Sequence, residues 1–145
     1  MINLHVRSYR DRMAGYRRVL EARSPETTLD RLRELAGDEI RPVRLWTARN
    51  PRTPADALAR LLQDADESVQ GNALLHTGTP GTALEWLADE EETQYGFCHF
   101  SCRSLIVHHP NTPGPLRRRL LDAGACSCPN WCGGRIPFRH QTEQK

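Results

Sequence analysis

Lysine is almost missing from these 145 residues: nineteen of the twenty basic side chains are arginine, and Lys145 is the exception. Cysteine is absent from the first 97 positions, and aromatic residues make up only 6% of the chain. No apolar run approaches the roughly 18–20 residues of a membrane-spanning helix, so no membrane partner is expected. Met1-Ile2-Asn3-Leu4-His5-Val6-Arg7 lacks the charged-then-apolar build of a secretory signal, which makes a cytoplasmic location the expectation. Also missing are a nucleotide-binding glycine loop, a serine-centred nucleophile elbow and a helical His-Glu-x-x-His. Catalysis therefore has no motif behind it. A cysteine–histidine nucleophile pair can be assembled from the five Cys and six His of this chain, but such a pairing is too easily found to carry weight.

Charge is unevenly spread. Residues 1–24 carry six Arg against Asp11 and Glu21, residues 25–97 seven Arg against fourteen carboxylates, and residues 98–145 six Arg and Lys145 against Asp122 and Glu143. An acidic middle thus lies between two basic ends. Arginine is the better fork for phosphate and carboxylate, yet uniform arginine use also follows from a GC-rich coding sequence. A groove-reading nucleic-acid binder has a pI above ~9; here the pI is 8.4. The acidic run Asp89-Glu90-Glu91-Glu92 reads as a solvated helix end.

The clearest pattern is a recurring hydroxyl–proline dipeptide: Ser24-Pro25, Thr53-Pro54, Thr79-Pro80 and Thr112-Pro113, at intervals of 29, 26 and 33 residues. Each predicts a helix start, with the hydroxyl as N-cap and proline in the first helical position, where its missing N–H has no partner to lose. Apolar residues follow at helical spacing: Leu29, Leu32 and Leu35; Leu58, Leu61 and Leu62; Leu84, Trp86 and Leu87; Leu116, Leu120 and Leu121. A second segment follows in the first two units, through Val43, Leu45, Trp46 and Ala48 and then Val69, Ala73, Leu74 and Leu75, the latter capped by Asp66. Trp46 and Trp86 fit the core stripes, whereas Trp131 is the better candidate for an exposed anchor. A period near 26 residues with two helical segments per unit predicts stacked modules, none of which buries its apolar face alone.

In its Asn50-Pro51-Arg52-Thr53-Pro54 turn followed by Leu58 and Leu61, and in Pro110-Asn111-Thr112-Pro113, the chain resembles the leucine-rich repeat variant family. The resemblance spans roughly residues 24–125. It implies an all-α fold, a short right-handed solenoid alternating α- and 3₁₀-helices, here with about four irregular repeats. The domain plan is a basic N-terminal capping helix over 1–23, the array over 24–125 with unit starts at Ser24, Thr53, Thr79 and Thr112, and a Cys-rich C-terminal cap over 126–145. In the N-terminal helix the apolar stripe is expected at Tyr9, Met13, Tyr16 and Leu20.

All five cysteines fall in the last third: Cys98, Cys102, Cys126, Cys128 and Cys132. An odd count without a secretory signal argues against a disulfide framework. Two Cys-x3-Cys pairs, Cys98/Cys102 and Cys128/Cys132, offer four thiolates to Zn²⁺ or to an iron–sulfur cluster. Cys126 can replace Cys128, and His99 can substitute as a nitrogen ligand. The third unit is lengthened by about seven residues where Cys98 and Cys102 sit, so an insertion carrying ligands can meet the Cys-rich tail. The resemblance adds to the cluster option, because members of that family occur joined to cysteine-rich iron–sulfur segments; those precede the repeats, whereas here the cysteines follow them. His108 and His109 read as turn residues, with His109-Pro110 in the place of Asn50-Pro51.

These observations lead to a non-catalytic binding or scaffold module that recognises another protein through a helical repeat array with a metal-stapled end. One alternative is an iron–sulfur redox or sensor protein. The other is nucleic-acid binding through Arg103, Arg117, Arg118, Arg119, Arg135 and Arg139.

Overall fold

Seven-residue helices are too short to persist alone in water, where about 12–15 residues are marginal, so the array stands or falls on how its units are tied together. The computed structural model describes residues 9–95 and 102–126, with side chains described over 11–91 and 102–126. The described residues form α1 (Tyr9–Arg23), α2 (Leu29–Leu35), α3 (Arg41–Arg49), α4 (Ala55–Leu61), α5 (Glu67–Leu75), α6 (Gly81–Tyr95), α7 (Arg103–His108) and α8 (Gly114–Asp122), with no strand among them. Helices α1, α3, α5 and α7 pack side by side as one row, while α2 packs on α4 in a second row and α8 lies against α7. Leu32, Leu35, Leu58, Leu61, Leu62, Val69, Leu74, Leu84 and Ile106 are fully buried between the rows. The helical repeat is thus present, but all eight helices among the described residues are α-helical, where the resemblance implied α- and 3₁₀-helices in alternation. Leu and Ala fill Ala55–Leu61 and favour the α form; i→i+3 bonds follow each helix end, as in Gly37 N–H to Glu34 O and Gln63 N–H to Arg60 O.

The turn between one unit and the next is built the same way four times. Its fixed residue is a threonine, and the first of the series is Thr27, not Ser24, so the intervals are 26, 26 and 33. The threonine hydroxyls do not cap the following helix, as the dipeptide suggested. They donate backwards by six residues, from Thr27 to Glu21 O at 2.5 Å, Thr53 to Thr47 O at 2.6 Å, Thr79 to Ala73 O at 2.5 Å, and Thr112 to Ile106 O. Each accepting carbonyl belongs to the last turn of the preceding helix, where backbone acceptors lack intrahelical partners. Capping falls to others: Pro54 and Pro113 occupy the caps of α4 and α8 without a side-chain bond, and Thr28 caps α2 through the Arg31 N–H. Asp66 does cap α5, accepting from Ser68 and Val69 N–H.

Three residues before each threonine stands a second polar residue: Ser24, Asn50, His76 and His109. Its side chain accepts the N–H of the residue two further on, through Ser24 Oγ, Asn50 Oδ1, His76 Nδ1 and His109 Nδ1, at 2.9 to 3.2 Å. From the second unit on, the other end of the side chain donates to the previous unit. Asn50 Nδ2 reaches Ala22 O and Ser24 O, His76 Nε2 reaches Asn50 O at 2.9 Å, and His109 Nε2 reaches His76 O at 2.9 Å. Because Nδ1 of each imidazole accepts a backbone N–H, the single proton of the neutral ring must sit on Nε2. The result is a ladder of one polar side chain per unit, running from Ser24 to His109.

A second set of ties is ionic. Arg18 and Arg44, 26 positions apart, each place Nε 2.7 Å from a half-buried carboxylate, Asp38 and Asp64. The same carboxylates accept Ile40 and Asp66 N–H. Gln70 takes the equivalent place in the third unit and donates to Leu62 O instead.

Some stripes fall differently from the sequence reading. In α1 the buried side is Gly15 and Ala22 with Val19, whereas Tyr16 is 57% and Leu20 45% exposed. Gly15 allows that approach, since a Cβ there would meet Ile40 Cδ1 at 2.8 Å. Trp86, expected in the core, is exposed, and Trp46 is half-buried against the cluster of Ala22, Leu35 and Val43. Trp131 lies outside the described residues.

Two outcomes are expected. Asn50→Ala leaves buried carbonyls of the preceding unit without donors and should cost about 2 kcal/mol or more, read as a lowered melting temperature. Asn50→His should recover most of that loss, because histidine performs the same two bonds in the next two units. The second concerns acid. Burial lowers the pKa of His109 from its ordinary 6.5, so below that value the unfolded chain takes up a proton that the folded one resists. Stability should be fully present above about pH 6.5 and fall as pH drops through it, and His109→Asn should flatten that dependence in a pH series of thermal melts.

Candidate functional site

Two regions carry functional groups. The first is the outer side of the row formed by α1, α3 and α5. Two guanidinium groups pack on the Trp46 indole, with Arg23 Cζ 4.5 Å and Arg49 Cζ 5.1 Å from the ring centroid. Arg49 Nε also donates to Asn72 Oδ1 on α5 at 2.9 Å, so it bridges two units. Beside it opens a cavity of about 280 Å³, bordered by Arg49, Pro51, Asn72, Leu75 and Thr77. Leu75 is 43% exposed at its edge.

The second region is the end of the array, where the cysteines begin. Helix α8 closes with a left-handed glycine, Gly124 at φ 77°, and two return bonds: Ala125 N–H to Leu120 O and Gly124 N–H to Leu121 O. This turn sends Ala125 and Cys126 back onto the main core, where they are half-buried. Cys102 precedes α7 and packs on the same core; both thiols are free of disulfides. Cys98, Cys128, Cys132 and His99 lie outside the described residues. Among the described residues no group of three or more His, Cys, Asp or Glu is arranged to hold a metal ion.

Cys102 has a partner that sequence reading missed. Glu91, taken as part of a solvated run, turns inward from α6: its Oε1 accepts the Cys102 N–H at 3.3 Å, and its Oε2 is buried with no hydrogen-bond partner among the described residues. Burial and this carboxylate together push the Cys102 thiol up to about 12. No sequence signal singles it out within the run 89–92; α6 runs fifteen residues against seven in α2 and α4, and this added length carries Glu91 to the start of α7.

The arginines proposed as a nucleic-acid edge are largely committed elsewhere. Arg103 is buried, Arg117 donates to Val107 O and His109 O, and Arg119 pairs with Asp89 at 2.6 Å. Arg118 is exposed, while Arg135 and Arg139 fall outside the described residues. His109 holds the ladder position already taken by Asn50, as the turn motif implied.

Residues 41–66 match the family model of the leucine rich repeat variant, a segment that takes in α3, the turn over 50–54, and α4. The resemblance read from the Asn-Pro-x-Thr-Pro turn is therefore found independently over one full unit. Neither the curated proteins nor the solved structures include a match to this chain. Among the described residues, no helix is long and apolar enough to cross a membrane.

A thiol held protonated is slow to react, because the thiolate is the nucleophile. Cys102 should therefore resist iodoacetamide at pH 8 in the folded chain. Glu91→Gln removes one of the groups that raise its pKa and should speed alkylation several-fold, followed by peptide mass spectrometry.

Proposed function

We propose that this chain is a non-catalytic scaffold module that binds a protein partner through the outer face of its helical repeats. The observation that carries the reading is the face itself: Leu20 and Leu75 remain 45% and 43% exposed on the same row of helices as a half-buried Trp46 that carries two arginines. Aromatic residues and arginine are the side chains most enriched in protein interfaces. The family match over 41–66 supports a repeat scaffold of this kind. Nucleic-acid binding through the basic ends is the weaker reading, because Arg103, Arg117 and Arg119 are held by contacts within the fold. A cytoplasmic location fits the two described cysteines, Cys102 and Cys126, neither of which is in a disulfide.

A metal staple at the C-terminal end completes the proposal. Cys102 and Cys126 reach the same core surface, and the orphaned Glu91 Oε2 beside Cys102 is the kind of atom a cation would satisfy. Cys102, with Cys98 and with Cys128 and Cys132 or Cys126, would hold Zn²⁺ or an iron–sulfur cluster, and the bound group would supply cross-linking free energy to the array end. A redox or sensor role is the variant of this reading that applies if the group is a cluster.

Two measurements test the halves separately. Leu20→Asp with Leu75→Asp should abolish capture of a specific partner while leaving the melting temperature within a few degrees; equal capture by wild type and variant would sink the binding reading. Metal analysis with a visible spectrum, on protein purified without oxygen, should find zinc near one per chain, or iron with sulfide. Replacing Cys102 and Cys132 by Ser should then release the metal and lower the melting temperature, whereas a metal-free wild-type chain removes the staple.

A further inference from the structure

The repeat register assigns equivalent positions across units, and this turns scattered surface residues into an ordered face. Four residues before the turn threonines stand Arg23, Arg49 and Leu75; seven before them stand Leu20, Trp46 and Asn72. The six positions form two short columns across α1, α3 and α5, and none is a carboxylate.

These columns hold two arginines that the fold does not pair with carboxylates among the described residues. Arg18, Arg31, Arg33, Arg41, Arg44 and Arg119 each sit within 2.8 Å of a carboxylate oxygen. Arg23 and Arg49 make no ion pair among the described residues; they stack on the same indole instead, both guanidinium carbons within 5.1 Å of its centroid. Two exposed like charges are thereby gathered around one ring, and only one of them has a side-chain acceptor, the neutral amide of Asn72. An anion beside the ring is attracted by both, and the planar fork of arginine matches a carboxylate in particular. Exposed Leu20 and Leu75 flank the pair on either side, and the cavity beside Arg49 has room for an apolar side chain.

We infer that this face recognises an acidic peptide segment of a protein partner, with its carboxylates drawn to Arg23 and Arg49 around the Trp46 ring and neighbouring apolar side chains seated against Leu20 and Leu75. The inference rests on the scaffold reading above and adds the chemistry of the partner. A nucleic-acid backbone is the poorer occupant. It needs a basic track that follows successive phosphates, whereas beyond these two arginines the columns offer Asn72 and leucines.

The test is a nitrogen–proton NMR titration of the full chain, following the Trp46 indole N–H and the Arg23 and Arg49 Nε–H signals. The probes are an eight-residue peptide alternating leucine with pairs of glutamate, its glutamine counterpart, and an oligouridylate of eight nucleotides. The acidic peptide should shift these signals saturably and bind at least tenfold more tightly than the glutamine version. Arg23→Gln with Arg49→Gln should weaken it tenfold or more. Leu75→Asp, which leaves the Arg–Trp–Arg stack intact, should weaken it as well, with thermal melts confirming that both variants fold. No shift at Trp46, or an equal response to the glutamine peptide, overturns this inference while the scaffold reading stands on its own capture experiment. Tighter binding of the oligouridylate at the same signals overturns both.

Discussion

Everything in the array depends on one residue per unit doing two things at once. Ser24, Asn50, His76 and His109 each close their own turn by accepting an N–H two residues on. The last three also reach back to carbonyls of the preceding unit. The carbonyl six residues before each threonine receives both the N–H of this ladder residue and the threonine hydroxyl, as at Thr47, Ala73 and Ile106. Helix end, turn and next unit are thus one hydrogen-bonded object. Without it, seven-residue helices would have only the ionic ties and the non-directional attraction of their leucines to fix their register.

Much of this was legible in the sequence, though for a partly different reason. The period and the Leu-spaced helices could be read directly, and Asp66 capped α5 as its position implied. The threonine-proline pair was correctly seen as punctuation, but its chemistry was inverted. A threonine before a helix looks the same in sequence whether its hydroxyl turns forward to an N–H or backward to a carbonyl. Only the proline hints at the difference: by ending up as the cap itself it leaves the hydroxyl one position too early to serve α4 or α8. The same ambiguity hid the first unit's true marker, since Thr27 has no proline after it and Ser24-Pro25 does. Ser24 is instead the first rung of the ladder, a role that serine, asparagine and histidine share only because each has a short polar acceptor.

Position along the array explains what periodicity could not. Tyr16 and Leu20 fit a helical stripe, yet the packing of α1 on α3 runs through the small side of the helix, Gly15 and Ala22, so the larger residues face outward. Glu91 shows the converse. One carboxylate in a run of four is indistinguishable by pattern, and it is drawn inward only because the lengthened α6 carries it to the start of α7. Of the candidate ligands, Cys102 and Cys126 are half-buried against the main hydrophobic cluster, and Cys98, Cys128 and Cys132 lie outside the described residues.

The distribution of arginine ties the fold to the function proposed for it. With lysine nearly absent, every task that needs a cation falls to a side chain that is always charged and forks toward carboxylates and carbonyls. Arg18 and Arg44 tie units together, and Arg52 donates to Pro25 O as Asn111 does to Thr77 O in the later turn. Arg117 braces the last turn. Once these are assigned, the basic residues no longer describe a general affinity for phosphate; most are internal ties, and the acidic middle supplies their partners. Among the arginines left over, two share a register position and a ring. Arg23 and Arg49 occupy the same register position in adjacent units, where the third unit has Leu75, and the scaffold uses neither to neutralise a carboxylate. A repeat protein varies its surface positions independently of the ladder that holds it, and the face proposed for binding draws on two such positions whose charge pairs with no carboxylate among the described residues.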